Sequence, residues 1–172
     1  MKKRLIIYLG VILFLASCVT KPTNINPVQD FRADKYLGKW YEIARLDNRF
    51  EKGMTHVNAE YSLNADGSIK VLNSGINAGE TTRSYAEGVA NFVESPSTGF
   101  LEVSFFRPFY GAYIVFKLDD NYKYAFVAGN DKDYLWFLSR TATVSKEQKD
   151  DFVNKAKSLG FDTDKIVWVD QG

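Results

Sequence analysis

Side chains that usually carry out catalysis are few in this chain. It holds one histidine, His56, and one cysteine, Cys18. The chain therefore has too few of these residues for a Ser/His or Cys/His nucleophile or a thiolate zinc site. Neither a metal nor a cofactor is expected. A lone histidine near the start of a predicted strand is typical of a surface or rim position. A haem- or pigment-ligating role for His56 is the weaker interpretation.

Carboxylates are the remaining candidates for acid–base chemistry. If Trp40 points inward, the two-residue period of a strand places Glu42 and Ala44 on the same inward face. A buried carboxylate is costly unless it is paired or protonated. Glu42 is thus interpreted either as a hydrogen-bonded structural residue or as a contact to a ligand headgroup, and an enzyme is the least favoured class. Four glutamates fall in predicted strands: Glu42, Glu60, Glu87 and Glu102.

The N-terminal residues are organised like a secretory signal peptide. Three basic residues at positions 2–4 precede an apolar run at 5–15, which is short for a membrane-spanning helix. "Leu-Ala-Ser-Cys", ending at Cys18, resembles the lipobox of bacterial lipoproteins. That resemblance implies a cleaved signal at 1–17, an acylated Cys18 and, because Val19 follows, anchoring in the outer membrane. The expected side is the periplasmic face. A short membrane anchor that is retained is the alternative.

Removal of the signal changes the charge of the chain. Three of its 22 basic residues lie in the signal, which leaves 19 against 21 acidic residues, a net charge near −2. The sequence contains no basic run, so a nucleic acid partner is disfavoured. Residues 18–30 have two prolines and no apolar period and are predicted to be the lipidated cysteine and a tether, whose last twelve residues reach roughly 40 Å when extended.

Residues 31–172 are predicted to form one β-rich domain. Short turns rich in Gly, Pro, Asp and Asn separate eight β-favouring runs, and such short connections join antiparallel neighbours. Ser145 and Gln148 have the spacing of a capping box, and Gly160 suits a helix end, so a helix is predicted over 146–159. A short ninth strand follows at 165–169. The eight runs are 39–46, 55–63, 69–76, 82–93, 100–106, 110–118, 122–128 and 134–141.

The predicted fold class is all-β, an eight-stranded antiparallel up-and-down barrel with one C-terminal α-helix. A barrel of this size is wide enough to hold one small ligand. The runs at 100–106 and 110–118 are aromatic on both faces, whereas one helix covers only part of a barrel. An apolar cavity is therefore favoured, and a barrel filled with side chains remains the alternative.

Two motifs resemble those of the lipocalin family. "Gly38-Lys39-Trp40-Tyr41" is similar to the family's first-strand signature, in which the tryptophan closes the base of the barrel. The segment from Trp136 to Thr141 is similar to the last-strand motif, whose arginine packs across that tryptophan. The resemblance implies a barrel floor of Gly38, Trp40 and Arg140. The family's middle motif, Thr-Asp-Tyr, is half kept around Asp119 and Tyr122.

With the lipobox, these motifs resemble the bacterial lipocalins of the outer-membrane lipoprotein type, relatives of apolipoprotein D. The resemblance implies binding of fatty acids or lysophospholipids, for lipid storage or transport in the envelope. Strand parity favours the open end for the Arg107-Pro108 turn, where it would suit an anionic headgroup or a membrane surface. A structural envelope lipoprotein with a filled barrel is the alternative. Candidate pocket residues are Glu42, Ala44, Phe105, Arg107, Phe109 and Tyr113.

Overall fold

The computed structural model describes residues 19–172. The predicted signal peptide and Cys18 lie outside the described residues. No helix within residues 19–172 is long and apolar enough to cross a membrane. The elements, in chain order, are α1 (Ala33–Tyr36), β1 (Gly38–Leu46), β2 (Thr55–Leu63), β3 (Ile69–Ile76), β4 (Arg83–Phe92), β5 (Phe100–Phe106), β6 (Phe109–Leu118), β7 (Tyr124–Ala128), β8 (Leu135–Ser139), α2 (Lys146–Ser158) and β9 (Ile166–Trp168).

Each of the first eight strands pairs antiparallel with its neighbour in sequence, and β8 pairs with β1 to close the barrel. β9 adds outside the ring, alongside the second half of β1. This confirms the predicted up-and-down barrel with one C-terminal helix and a ninth strand. The strand bounds agree with the predicted runs to within two residues, because turn chemistry in the sequence marks each boundary.

The alternating strand directions define two ends of the barrel. β1 starts beside Trp40, so the β2–β3, β4–β5 and β6–β7 turns share that end, called here the closed end. The β1–β2, β3–β4, β5–β6 and β7–β8 loops share the other, called the open end. The Arg107-Pro108 turn therefore lies at the open end, as strand parity predicts.

Two apolar clusters lie on opposite sides of the barrel wall. The inner cluster draws on all eight barrel strands and includes Trp40, so it lies inside the barrel. The outer cluster includes Phe152 of α2, whose ring lies 5.0 Å from Phe126 and 5.1 Å from Phe137. α2 thus covers one outer face of the barrel.

The ends of α2 follow the predicted capping chemistry. The Ser145 side chain accepts a hydrogen bond from the Gln148 backbone N–H at 3.2 Å, and the Gln148 side chain accepts from the Ser145 N–H at 2.9 Å. Gly160, just past the helix, has a φ of +82°. Only glycine adopts that conformation without strain.

Residues 19–30 do not extend away from the domain as a tether would. Ile25 is fully buried in the outer cluster. The Val28 backbone N–H donates to the Val115 carbonyl at 2.8 Å, and its carbonyl accepts from Gly99 at 2.9 Å. Burying Ile25 and satisfying these backbone groups holds the segment against the barrel wall.

Candidate functional site

The closed end of the barrel is sealed by a tryptophan and an arginine. The Trp40 indole is fully buried and donates to the Tyr36 carbonyl at 2.8 Å. The Arg140 guanidinium carbon lies 3.9 Å from the centroid of the Trp40 ring, close enough for cation–π attraction. Arg140 also donates to the carbonyls of Lys35 at 2.8 Å and Lys39 at 2.9 Å.

Gly38 lies against this arginine, so the structure brings the three predicted floor residues together. Its φ is +90°, and a Cβ placed there would lie 3.5 Å from the Arg140 guanidinium. The half-kept middle motif supports the same floor. Asp119 accepts from the backbone N–H of Asn121 at 3.0 Å, and the Tyr122 carbonyl accepts from Arg140 at 3.3 Å.

Three tyrosines fill the interior above the floor. The Tyr113 hydroxyl is hydrogen-bonded to those of Tyr36 at 2.7 Å and Tyr61 at 2.9 Å. Burial raises the pKa of each of these phenols above its usual value, so all three stay protonated. The candidate pocket residue Tyr113 therefore lies deep in the interior, in the layer of tyrosines directly above the floor.

Nearer the open end, one wall of the interior carries little side-chain bulk. Ala86 and Gly88 of β4 pair with Asn73 and Val71 of β3, and Val71 belongs to the inner cluster. These residues therefore face the interior. Ala86 is nevertheless exposed to solvent, which means that the interior is accessible on this side.

Another part of the interior, at β1 and the loop after it, carries a buried polar cluster. The fully buried Arg45 guanidinium donates to the Glu42 carboxylate at 2.8 Å and to the Glu51 carbonyl at 2.6 Å. The Glu51 carboxylate accepts from the Trp136 indole at 3.0 Å and from the Asn48 amide at 2.6 Å. This network fixes the β1–β2 loop (residues 47–54) over part of the open end.

The two carboxyls of this cluster compete for one cation. Burial, followed by the charge of Glu51, raises the pKa of the Glu42 carboxyl well above its usual range, although Arg45 opposes the shift. Burial also works against the charge of Arg45, but Glu42, Glu51 and Asp47 outweigh it and raise the guanidinium pKa. Arg45 therefore stays charged, and the proton that the site takes up resides on Glu42.

Ala44 does not share the inward face of Glu42, so that expectation is wrong. Glu42 lies opposite Leu138, but Ala44, not Ile43, lies opposite Phe137, which marks a β-bulge. The extra residue turns Ala44 outward into the cluster under α2. The same bulge brings Arg45 inward. Sequence reasoning missed Arg45, and the signal available was a charged residue three positions after Glu42.

The other candidate pocket residues lie around the β5–β6 turn. The Phe105 ring occupies the space where a Cβ on Gly88 would be, at 2.8 Å. Arg107 lines a groove with the outward-facing residues Lys70 and Glu87, away from the interior. Phe109 is exposed. Phe105 therefore lies against the inward-facing side of Gly88, whereas Arg107 and Phe109 lie away from the interior.

His56 lies beside the C-terminal residues, where its backbone N–H donates to the Asp170 carbonyl at 2.7 Å. Its own backbone has a φ of +52°. The imidazole Nδ1 lies 3.1 Å from the Thr55 hydroxyl. Residues 19–172 contain no group of three or more His, Cys, Asp or Glu side chains that could hold a metal ion.

The family model for a lipocalin-like domain matches residues 31–171, the whole barrel with its helix and ninth strand. The chain belongs to the lipocalin family. Lipocalins generally bind and transport small molecules, and the tryptophan–arginine floor of this lipocalin agrees with its motif resemblance.

Two bacterial relatives cover almost all of this lipocalin. Outer membrane lipoprotein Blc of Vibrio cholerae is 49% identical over 160 residues, covering 92% of this chain and 94% of the relative. The protein of the same name from Escherichia coli is 48% identical over 155 residues, covering 90% and 88%. These relatives confirm the predicted localisation at the outer membrane.

More distant relatives share the fold. Apolipoprotein D of Macaca fascicularis is 34% identical over 164 residues, covering 91% of this lipocalin and 84% of the relative. The structure of insecticyanin from Manduca sexta superposes with a TM-score of 0.68 at 23% identity, covering 88% and 86% of the two chains. That second likeness concerns the fold alone.

Proposed function

We propose that this lipocalin binds a single-chain lipid, a fatty acid or a lysophospholipid, for storage or transport in the bacterial envelope. The exposure of Ala86, which faces the interior, carries this proposal. It supports a barrel that is filled at the floor but open above it. A barrel packed with side chains throughout would bury that residue.

The two walls of the open half suit the two parts of such a lipid. Along β3 and β4 the inward-facing Val71, Ala86 and Gly88 are small or apolar, and an acyl chain gains free energy by leaving water there. At β1 and the β1–β2 loop lies the cluster of Glu42, Arg45 and Glu51, whose polar groups can contact a headgroup. The names of the relatives as outer membrane lipoproteins support the envelope location and an acylated Cys18.

The experiment is a fluorescence titration of the delipidated protein with a fatty acid, a lysophospholipid and a diacyl phospholipid. Trp136 at the polar cluster and Trp40 at the floor are the reporters. Saturable one-to-one binding of the single-chain lipids, with the diacyl lipid excluded, is expected. A folded protein that responds to none of the three would establish the filled, structural barrel instead.

A matched pair of variants locates the binding site. Ala86→Trp places a large side chain inside the open half and should abolish binding. Tyr85→Trp adds the same indole at the adjacent, outward-facing position and should leave the affinity unchanged. Equal affinity in both variants would place the ligand outside the barrel.

A further inference from the structure

Four phenylalanines are exposed at the open end, on two loops that lie across the barrel from each other. Phe50 lies in the β1–β2 loop, and Phe105, Phe106 and Phe109 lie at the β5–β6 turn. Their exposed fractions range from 45% to 75%. The rings of Phe106 and Phe109 stack with centroids 6.3 Å apart. This set is called here the open-end phenylalanines, and its exposed apolar rings indicate a contact surface.

A cation accompanies one of the two groups of rings. The Arg49 guanidinium lies 4.7 Å from the centroid of Phe50, whereas the Arg107 side chain lies in an outer groove with Asp66 and Glu87. The acidic residues of the β1–β2 loop do not oppose Arg49, because Glu51 faces Trp136 and Asp47 faces Arg45. The remaining acidic residues of the open end lie on the other two loops: Glu80, Asp131 and Asp133.

The first described residues approach the same end. Asn24 accepts a hydrogen bond at 2.7 Å from Lys132, which lies in the β7–β8 loop. Ile25 is buried beside it in the outer cluster. The segment that leads back to Cys18 therefore lies nearer the open end than the floor.

We infer that the open end docks on the surface of a phospholipid bilayer, with the open-end phenylalanines among the acyl chains and Arg49 at the phosphates. Aromatic rings flanked by cations have the chemistry of the interface between headgroups and acyl chains. Docked this way, the barrel opening faces the membrane, and a single-chain lipid passes between them without crossing water. The inference adds a membrane contact to the proposed function. The transfer of lipid between membrane and barrel rests on that proposed lipid binding.

The experiment uses the mature protein on phosphatidylethanolamine–phosphatidylglycerol vesicles that contain phospholipid with brominated acyl chains. Phe106→Trp places an indole at the docking surface. Leu63→Trp is the matched control, because Leu63 is also exposed, at 61%, but lies at the closed end. Bromine quenches only indoles that reach the acyl chains. The added fluorescence of Phe106→Trp should be mostly lost, and that of Leu63→Trp should be retained.

Other outcomes overturn the inference. Equal quenching of both variants, or of neither, would show that the open end does not enter the bilayer. In lipid-free solution, the indole of Phe106→Trp could be shielded from aqueous acrylamide while the protein shows twice the mass of one chain. That result would assign the surface to a second copy of the chain. A fatty acid titration of the same variants separates the two proposals: normal binding without quenching removes the docking alone, whereas quenching without binding removes the proposed function.

Discussion

At the scale of single residues, the pairing of Glu42 with Arg45 sets a pH dependence. Burial and the nearby Glu51 raise the pKa of Glu42 in the folded state, so the folded protein holds a proton that the unfolded chain releases. The stability this contributes is complete below the ordinary glutamate pKa of about 4.3 and is lost as the pH rises through the raised value.

Glu42→Gln should therefore flatten the decline of stability with rising pH, because glutamine keeps the acceptor for Arg45 without a titrating proton. Between about pH 5 and pH 8, the free energy of unfolding of the natural protein should fall relative to the variant, by at most about 1.4 kcal/mol per pH unit. Urea unfolding at several pH values measures this. Glu87→Gln, at a mostly exposed ion pair with Lys70, is the control. Parallel profiles for the natural protein and Glu42→Gln would contradict the assignment.

The three tyrosines above the floor give a second prediction at this scale. Tyr113→Phe removes the hydroxyl that links Tyr36 and Tyr61. Each buried hydroxyl left without a partner costs about 1–3 kcal/mol, so the free energy of unfolding should fall by roughly that amount or more. Tyr85→Phe, at an exposed position, should change it by no more than about 0.5 kcal/mol. A similar small effect in both variants would show that the hydroxyl contacts do not stabilise the fold.

At the scale of elements, turn and capping residues in the sequence determine most of the fold. The capping box of Ser145 and Gln148 places α2, and the Gly38–Trp40 spacing with Arg140 places the floor. The bulge after Glu42 could not be predicted, since a one-residue insertion leaves no compositional signal yet reverses the facing of every later side chain. The ion pair between Glu42 and Arg45 depends on that reversal, because the bulge brings Arg45 inward.

The C-terminal residues close a gap that the strand pattern does not reveal. β1 and β2 stop pairing after Tyr41 and Asn58. Beyond that point the Gln171 amide donates to the carbonyls of Glu42 at 2.7 Å and Val57 at 2.8 Å, which bridges the two strands. The seam of the barrel is thus completed by a side chain that arrives from the end of the chain.

Gln171→Ala should lower the free energy of unfolding by about 1–3 kcal/mol, because two carbonyls lose their donor. Gln171→Glu should lower the free energy of unfolding at least as much, since its carboxylate oxygens would face the two backbone carbonyls without a hydrogen to donate. Urea unfolding measures both variants. Gln29→Ala is the control, because the Gln29 amide bonds only to the nearby Pro27 carbonyl in an exposed segment. Equal stabilities of the Gln171 and Gln29 variants would mean that the seam does not depend on this bridge.

At the scale of the whole molecule, the proposed division into a filled floor and an open upper half links lipid binding to stability. The tyrosines and Trp40 keep the barrel folded without a ligand, whereas a lipid would bury the apolar wall that β3 and β4 leave accessible. A ligand that binds only the folded state stabilises it by about 2.7 kcal/mol at a free concentration of 100 times its Kd. For a chain of this size, that corresponds to a rise in Tm of roughly 5–10 °C.

The measurement is thermal unfolding of the delipidated protein with and without saturating fatty acid or lysophospholipid. The natural protein and Tyr85→Trp should show the rise in Tm, and Ala86→Trp should show none, because its indole already occupies the open half. Ala86→Trp without ligand should also unfold no lower than the natural protein without ligand, since its indole covers apolar wall otherwise left to water. A rise in Tm of equal size in Ala86→Trp would locate the stabilising lipid on the outer surface, and the interior would then have no part in lipid binding.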